Sequence, residues 1–396
     1  MSSRLARLRS LDVLAATALV WFLAKFLRYA FPPLFPALGA RYGVTDAALG
    51  TAFTAMMLVY AALQFPSGAL ADRIGAARVI TAGAVVAAGA ALALAVDVPF
   101  LALAAGMVLV GLGTGVHKTV AVGLLSAVYP DRTGRALGVL DTVGAFGGVA
   151  APAAVAVLLA SARFDWHALF AVAGVVGLAL AALAYPRMRA REPAPTDRDD
   201  DEDGVSLARY AALFGDPAFA GFVAVTVCAA FAYNGVVAFL PRFLEYAGLT
   251  PATASAVYSG LFVVSLVQTV TGDLADRVGP LAVVTGTLAL AALGLCALTF
   301  GGFGTVGLVA AVVVFGLGGH GFRPVRGAYL MALLPAERSG GGLGVVRTVL
   351  MGAGALAPAV VGVLSTYADF TVAFGALCVA LVGAAGGAAV LLAVDG

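Results

Sequence analysis

Two stretches of this chain read almost alike: GALADRIGAARV from Gly68 and GDLADRVGPLAV from Gly272, 204 residues apart. Each sets a short polar turn between long apolar runs. The chain is 62% hydrophobic and only 11% charged, less than half the roughly 25% of ordinary soluble domains. A soluble globule of 396 residues has nowhere to hide that much apolar surface. A duplicated polar turn in such a chain implies a membrane protein built from two related halves. The function class this leaves is movement of a solute across a bilayer.

A helix needs about 20 apolar residues to cross hydrocarbon. Twelve segments qualify, at roughly 11–38, 46–70, 79–96, 99–128, 136–160, 166–186, 217–245, 251–272, 281–300, 304–334, 341–365 and 370–393. Their apolar runs are continuous instead of alternating, which argues for helices and against barrel strands. The expected fold class is an all-α membrane protein with twelve transmembrane helices in two pseudo-symmetric bundles of six. The first bundle covers residues 1–186 and the second 217–396. Between them, 187–216 reads as a cytoplasmic linker, with Pro193, Pro195 and an acidic run from Asp199 to Asp203.

Basic residues set the orientation. With the N-terminus inside, cytoplasmic segments hold fourteen arginines (Arg4, Arg7, Arg9, Arg73, Arg78, Arg132, Arg135, Arg187, Arg189, Arg191, Arg198, Arg209, Arg277 and Arg338), and external loops hold Arg41, Arg163 and Arg242. The positive-inside rule therefore puts both termini in the cytoplasm of a multi-pass protein of the cell membrane. The first apolar segment is too long for a cleavable signal and is interrupted by cations. A net charge of +2 implies no nucleic-acid partner. Cys228, Cys296 and Cys378 are scattered within apolar segments and read as core residues. The sequence has no nucleotide-binding Gly-Lys-Ser/Thr loop and no metal-spaced His/Cys cluster, so an enzyme is not expected, nor any cofactor.

The internal repeat reaches far beyond the duplicated turn. Adding about 205 carries Pro36 onto Pro241, Gly43-Val44-Thr45 onto Gly248-Leu249-Thr250, Gln64 onto Gln268, and Gly111 and Gly113 onto Gly316 and Gly318. Pro130 falls on Pro335, and one residue further Pro152 falls on Pro358. A parallel repeat of six spans is one of the known transporter architectures. GALADRIGAARV resembles the signature between helices 2 and 3 of the major facilitator superfamily, and GDLADRVGPLAV its echo between helices 8 and 9. PDRTGRALG from Pro130 and PAERSGGGLG from Pro335 are similar to the turns after helices 4 and 10. The resemblance implies secondary transport by alternating access, coupled to a proton or sodium, in a chain expected to act as a monomer. It also implies that Asp72, Arg73, Gly75 and Arg78 form a conformational latch, with Asp276, Arg277 and Gly279 a weaker copy in which Ala282 replaces the last arginine.

Six of the twenty-three cationic residues fall inside spans: Lys25, Arg28, Lys118, Arg323, Arg326 and Arg347. Among acids only Asp141 lies well within one. Each such cation costs about 2.5–3.5 kcal/mol at the bilayer centre even on the lenient insertion scale, so an aqueous cavity is the expected surrounding. Lys25 and Arg28 share a face of span 1; His320, Arg323 and Arg326 repeat the spacing along span 10; the repeat sets Lys118 on Arg323. In the family resembled, spans 1, 4, 7 and 10 line the central cavity, and five of the six cations fall on them. A positive cavity attracts an anion, and Arg grips carboxylate or phosphate through its fork. Arg28, Lys118 and Arg323 are thus the expected anion ligands, with Lys25, His320, Tyr29, Tyr233 and Asn234 assisting. The competing reading makes these cations gate or scaffold elements of a multidrug or metabolite exporter.

His117 and His320 titrate near neutrality and are candidates for proton coupling. Asp141 is expected to form a gate ion pair with Arg326 or Arg347. Trp21, Tyr60, Gln64 and Gln268 are further polar or amphipathic positions on spans 1, 2 and 8, with lipid-interface anchoring the rival reading for Trp21 and Tyr60. Span 5 carries Gly144, Gly147, Gly148 and Pro152, a loose version of the Gly-Pro pattern of drug antiporters. Span 4 has only apolar residues from Met107 to Val110, where many proton-coupled members place an arginine.

Overall fold

Backbone groups in hydrocarbon find no water, so each must bond within its own segment, and long apolar runs become helices. A computed structural model of the chain describes residues 11–64, 66–161, 165–192, 212–333 and 339–395, and no strand occurs among them. The first half holds α1 (Asp12–Tyr42), α2 (Asp46–Ala62), α3 (Pro66–Ile74), α4 (Ala76–Ala93), α5 (Phe100–Gly115), α6 (His117–Val128), α7 (Thr133–Leu159) and α8 (Trp166–Arg189). The second holds α9 (Pro217–Tyr246), α10 (Pro251–Val263), α11 (Gln268–Val278), α12 (Pro280–Phe300), α13 (Thr305–Leu333), α14 (Ser339–Tyr367) and α15 (Phe370–Asp395). Among the described residues eleven helical stretches are long and apolar enough to cross a membrane; α2 and α3, meeting at 51°, make a twelfth if taken as one span. Helix starts carry their own caps: Asp165, Asp216 and Thr250 accept from the backbone N–H groups of His167, Ala218 and Thr253.

The chain divides into two compact units, Met1–Gly43 with Ala55–Arg198, and Val44–Thr54 with Asp199–Gly396. In the first, α1 packs on α7 and α8, and α4 on α5 and α8; in the second, α9 packs on α14 and α15, and α12 on α13 and α15. The same four packings recur in matched order, so the repeat is one of structure as well as sequence. The stretch 44–54 is held in the second unit by Asp46, which accepts from Arg242 Nε at 3.4 Å, and by Thr54, which accepts from Ala359 N at 2.9 Å.

Two glycine positions explain the tightest crossings. A Cβ on Gly113 would overlap the Gly83 carbonyl and crowd Ala87 N; a Cβ on Gly318 would overlap the Thr287 carbonyl and Ala291 N. Main chain therefore meets main chain where α4 crosses α5 and where α12 crosses α13, the small-residue packing that membranes favour. Gly75 and Gly279 take φ of 98° and 92°, a region open to glycine, and turn the duplicated motif in both copies. Inside the units lie Phe31, Phe35 and Phe170, and Phe222, Phe239 and Phe374. Outside, Leu101, Val157, Val306 and Val379 are each more than 70% exposed, and lipid is the solvent that tolerates such a surface.

Candidate functional site

The fourth span breaks where its chemistry begins. Helix α5 ends at Gly115 and α6 starts at His117. The Gly115 carbonyl at that break accepts from Gln64 Nε2 at 2.6 Å, and Gln64 Oε1 accepts from Thr119 Oγ1 at 3.3 Å. A side-chain amide thus satisfies the carbonyl at a mid-span break, as hydrocarbon requires. Just beyond, His117 is 1% exposed, with Nε2 at 2.9 Å from the Thr17 carbonyl. Its ring stacks on Trp21, centroids 5.6 Å apart. In this role His117 ties α6 to α1, a use of imidazole the sequence does not reveal.

Around Trp21 stand the cations of the first unit. Lys25 Nζ, Arg28 Cζ and Lys118 Nζ lie 5.5, 5.4 and 5.9 Å from the centroid of its ring. Arg28 is 5% exposed; its guanidinium lies 4.0 Å from the Tyr60 centroid and 5.9 Å from that of Tyr29, and its Nε donates to the Ala24 carbonyl at 3.3 Å. No described carboxylate pairs with it. Lys118 differs: it forms an ion pair with Asp141 of α7. Within the first unit α7 packs against α6 and brings Asp141, the residue expected to form a gate pair with Arg326 or Arg347, to Lys118. The side chain of Arg347 lies outside the described residues.

In the second unit a small cleft is lined by Tyr233 and Asn234 of α9, Phe322, Arg323 and Arg326 of α13, and apolar neighbours including Phe315. Arg323 Cζ lies 4.2 Å from the Tyr233 centroid, and the Tyr233 hydroxyl is 3.3 Å from His320 Nε2. Arg326 reaches over Phe322 at 5.8 Å, and Asn234 donates to the Ala230 carbonyl at 2.8 Å. No described carboxylate pairs with Arg323. By the repeat, Arg28 matches Tyr233, so a cation in one half stands where the other has an aromatic, while Lys118 matches Arg323 and keeps its charge. Each guanidinium rests on a tyrosine, an attraction that grows when the pair is dry.

Of the latch residues, Arg78 donates to the Ile74 carbonyl at 3.2 Å, and among the described residues Asp72, Arg73, Asp276 and Arg277 make no ion pair. What engages the Gly75 turn is Glu192, a residue sequence reasoning missed: its carboxylate accepts from Ala77 N at 3.2 Å, at the positive start of α4, and takes Arg189 at 3.2 Å. The lone acid beside Arg187, Arg189 and Arg191 was the only available signal. His167, in the first turn of α8, joins Asp165 at 2.8 Å and Asp97 at 3.5 Å, while Arg41 bonds Asp97 at 2.7 Å. The Arg41 guanidinium holds the Asp97 carboxyl below its ordinary range, and the His167 bond does the same for Asp165.

Residues 17–267 and 248–395 match the Major Facilitator Superfamily. The chain belongs to that family. Solved structures of this superfamily fold superpose along nearly the whole length. A bacterial homolog of the human lysosomal transporter Spinster, inward-facing and occupied, gives a TM-score of 0.80 at 17% identity, covering 96% of both chains. The nucleoside transporter NupG gives 0.78 at 14%, covering 97% of this chain and 99% of the other; a D-xylose-proton symporter gives 0.76 at 14%, covering 96% of both. These likenesses establish the fold. Among curated proteins, the 4-hydroxybenzoate transporter PcaK of Pseudomonas putida is 33% identical over 148 residues, 37% of this chain and 32% of that one. The superfamily member described here is a membrane protein and a secondary transporter.

Proposed function

We propose that the protein carries a small anion, best an aromatic carboxylate, across the cell membrane by alternating access, with both termini cytoplasmic and a proton or sodium as coupling ion. One observation carries the reading: Arg28 is buried within the first unit, stacked on Tyr60, with no described carboxylate to neutralise it. A buried charge without a counter-ion is costly, and a substrate anion supplies what the protein withholds. Arg323 beside the cleft of the second unit repeats the arrangement on Tyr233. Arginine over aromatic rings suits a planar ring bearing a carboxylate, and the partial likeness to a 4-hydroxybenzoate transporter agrees. The rival, an exporter in which cations are scaffold, draws on the Lys118–Asp141 pair alone.

The deciding assay is uptake of labelled benzoate, succinate, phosphate and nitrate into proteoliposomes, run beside a lipophilic cation. Saturable uptake of at least one anion, abolished in Arg28→Gln and in Arg323→Gln, is the expected result. Transport of the lipophilic cation alone, indifferent to both substitutions, would overturn the proposal.

A further inference from the structure

Three like charges drawn into a poorly solvated pocket repel one another, and Lys and Arg have stems long enough to turn their heads elsewhere. Yet Lys25, Arg28 and Lys118 all come within 6 Å of one indole. Tryptophan offers a cation the most attractive of the aromatic faces. It is also fixed in place. Trp21 is 4% exposed, His117 stacks upon it, and its pyrrole edge rests on Gly144, where a Cβ would overlap both Cδ1 and Nε1. The glycine run of span 5, which resembles a drug-antiporter pattern only loosely, thus has a local purpose: Gly144 makes room for the indole, and the absence of a side chain at Gly147 lets α7 approach the Phe22 carbonyl. Trp21 is not the sole anchor: Lys118 also pairs with Asp141, and Arg28 also lies on Tyr60 at 4.0 Å and bonds the Ala24 carbonyl at 3.3 Å, so the indole is what the three cations share.

From this convergence we infer that Trp21 is a positioning residue for anion binding, its indole gathering Lys25, Arg28 and Lys118 into one preset constellation. The inference rests on the anion reading above. Trp21 acts through the cations and not on the solute: the ordering of three long side chains is completed before the anion arrives, which removes that cost from the binding step. Removing the ring leaves every charge in the protein but takes away the one contact that the three heads share. The anion then binds weakly, and the rate at saturation changes little.

The test uses the full chain, in detergent for binding and in proteoliposomes for transport, with benzoate, succinate, phosphate and nitrate as probes. Trp21→Leu keeps all three cations and an apolar filling; Trp21→Phe restores an aromatic face. The Leu variant is expected to bind the best of these probes about tenfold more weakly, with KM raised in step and kcat within about twofold. The Phe variant is expected to recover binding to within about threefold of the wild type. A packing role does not separate Phe from Leu in this way. Equal binding by wild type and Leu variant, or a Phe variant no better than Leu, overturns the inference while leaving anion transport intact. Failure of the wild type to bind any of the four sinks the anion reading and this inference with it. If Trp21→Leu does not fold, Trp166→Phe decides, because it leaves Trp21 as the sole tryptophan of the chain. Saturating probe must then alter the Trp21 emission, and an unchanged emission overturns the inference.

Discussion

Replacing Arg28 by Met separates a binding arginine from a structural one, because the two roles predict opposite outcomes. The side chain keeps its length and loses its charge. A cation at the bilayer centre costs about 2.5–3.5 kcal/mol on the insertion scale, so its removal is favourable by that amount. Against this stand the stacking on Tyr60 at 4.0 Å, worth about 2 kcal/mol when desolvated, and the bond to the Ala24 carbonyl at 3.3 Å, worth about 1 kcal/mol. The terms nearly cancel, leaving a net change within about 0.5 kcal/mol. For a unit of this size that moves the unfolding midpoint by about 2 °C at most. Anion binding, by contrast, loses a charge-assisted fork worth about 3 kcal/mol, or more than about a hundredfold in affinity. Thermal unfolding in detergent and benzoate uptake, measured on the same preparation, read both quantities. A midpoint that falls by 10 °C or so while uptake survives would refute the reasoning, for it would make Arg28 a scaffold residue.

Asp141→Asn releases Lys118 from its ion pair, so KM for the anion is expected to fall by about two- to fivefold; a rise would mean that Asp141 serves the site in another way. Gly113→Ala and Gly318→Ala each force two main chains apart and are expected to cost about 1–3 kcal/mol, read as matching drops in unfolding midpoint; a fall in only one would deny that the two crossings are equivalent. The Asp97 carboxyl, lowered by Arg41, contributes stability above the ordinary carboxylate range that is lost as the pH falls through its folded value, below about 4. Arg41→Ala is therefore expected to lower the midpoint slightly at pH 7, the pair being exposed, and to leave it unchanged once the pH is below the folded value of Asp97, which flattens the acid limb of the midpoint-against-pH curve.

The fold was legible because its rules act along the chain: span length and a repeat offset of 205 are both properties of linear order. Gly75, Gly279, Gly113 and Gly318 could be picked out for the same reason, the first pair at turns of positive φ and the second where main chain meets main chain. The site was legible only in its residue types. Whether Lys118 meets Asp141 or a solute depends on the rotation of α6 against α7, which separates partners 23 residues apart in sequence. Trp21 gave no sign of its three cations, since an indole at that position suits a lipid interface equally well. His117 is a candidate proton carrier by its chemistry alone, and its place beside the Thr17 carbonyl and the Trp21 ring depends on contacts 100 and 96 residues away in sequence.

Where α4 meets α5 and where α12 meets α13, backbone touches backbone, and no side-chain length remains to be varied. Elsewhere the halves differ enough that one holds Arg28 where the other holds Tyr233. At these crossings one glycine is present in both halves, Gly113 and Gly318, while its partner is Gly83 in one and Thr287 in the other. Superposing one half on the other from Gly113 and Gly318 therefore gives a firmer reference frame than the surface loops do.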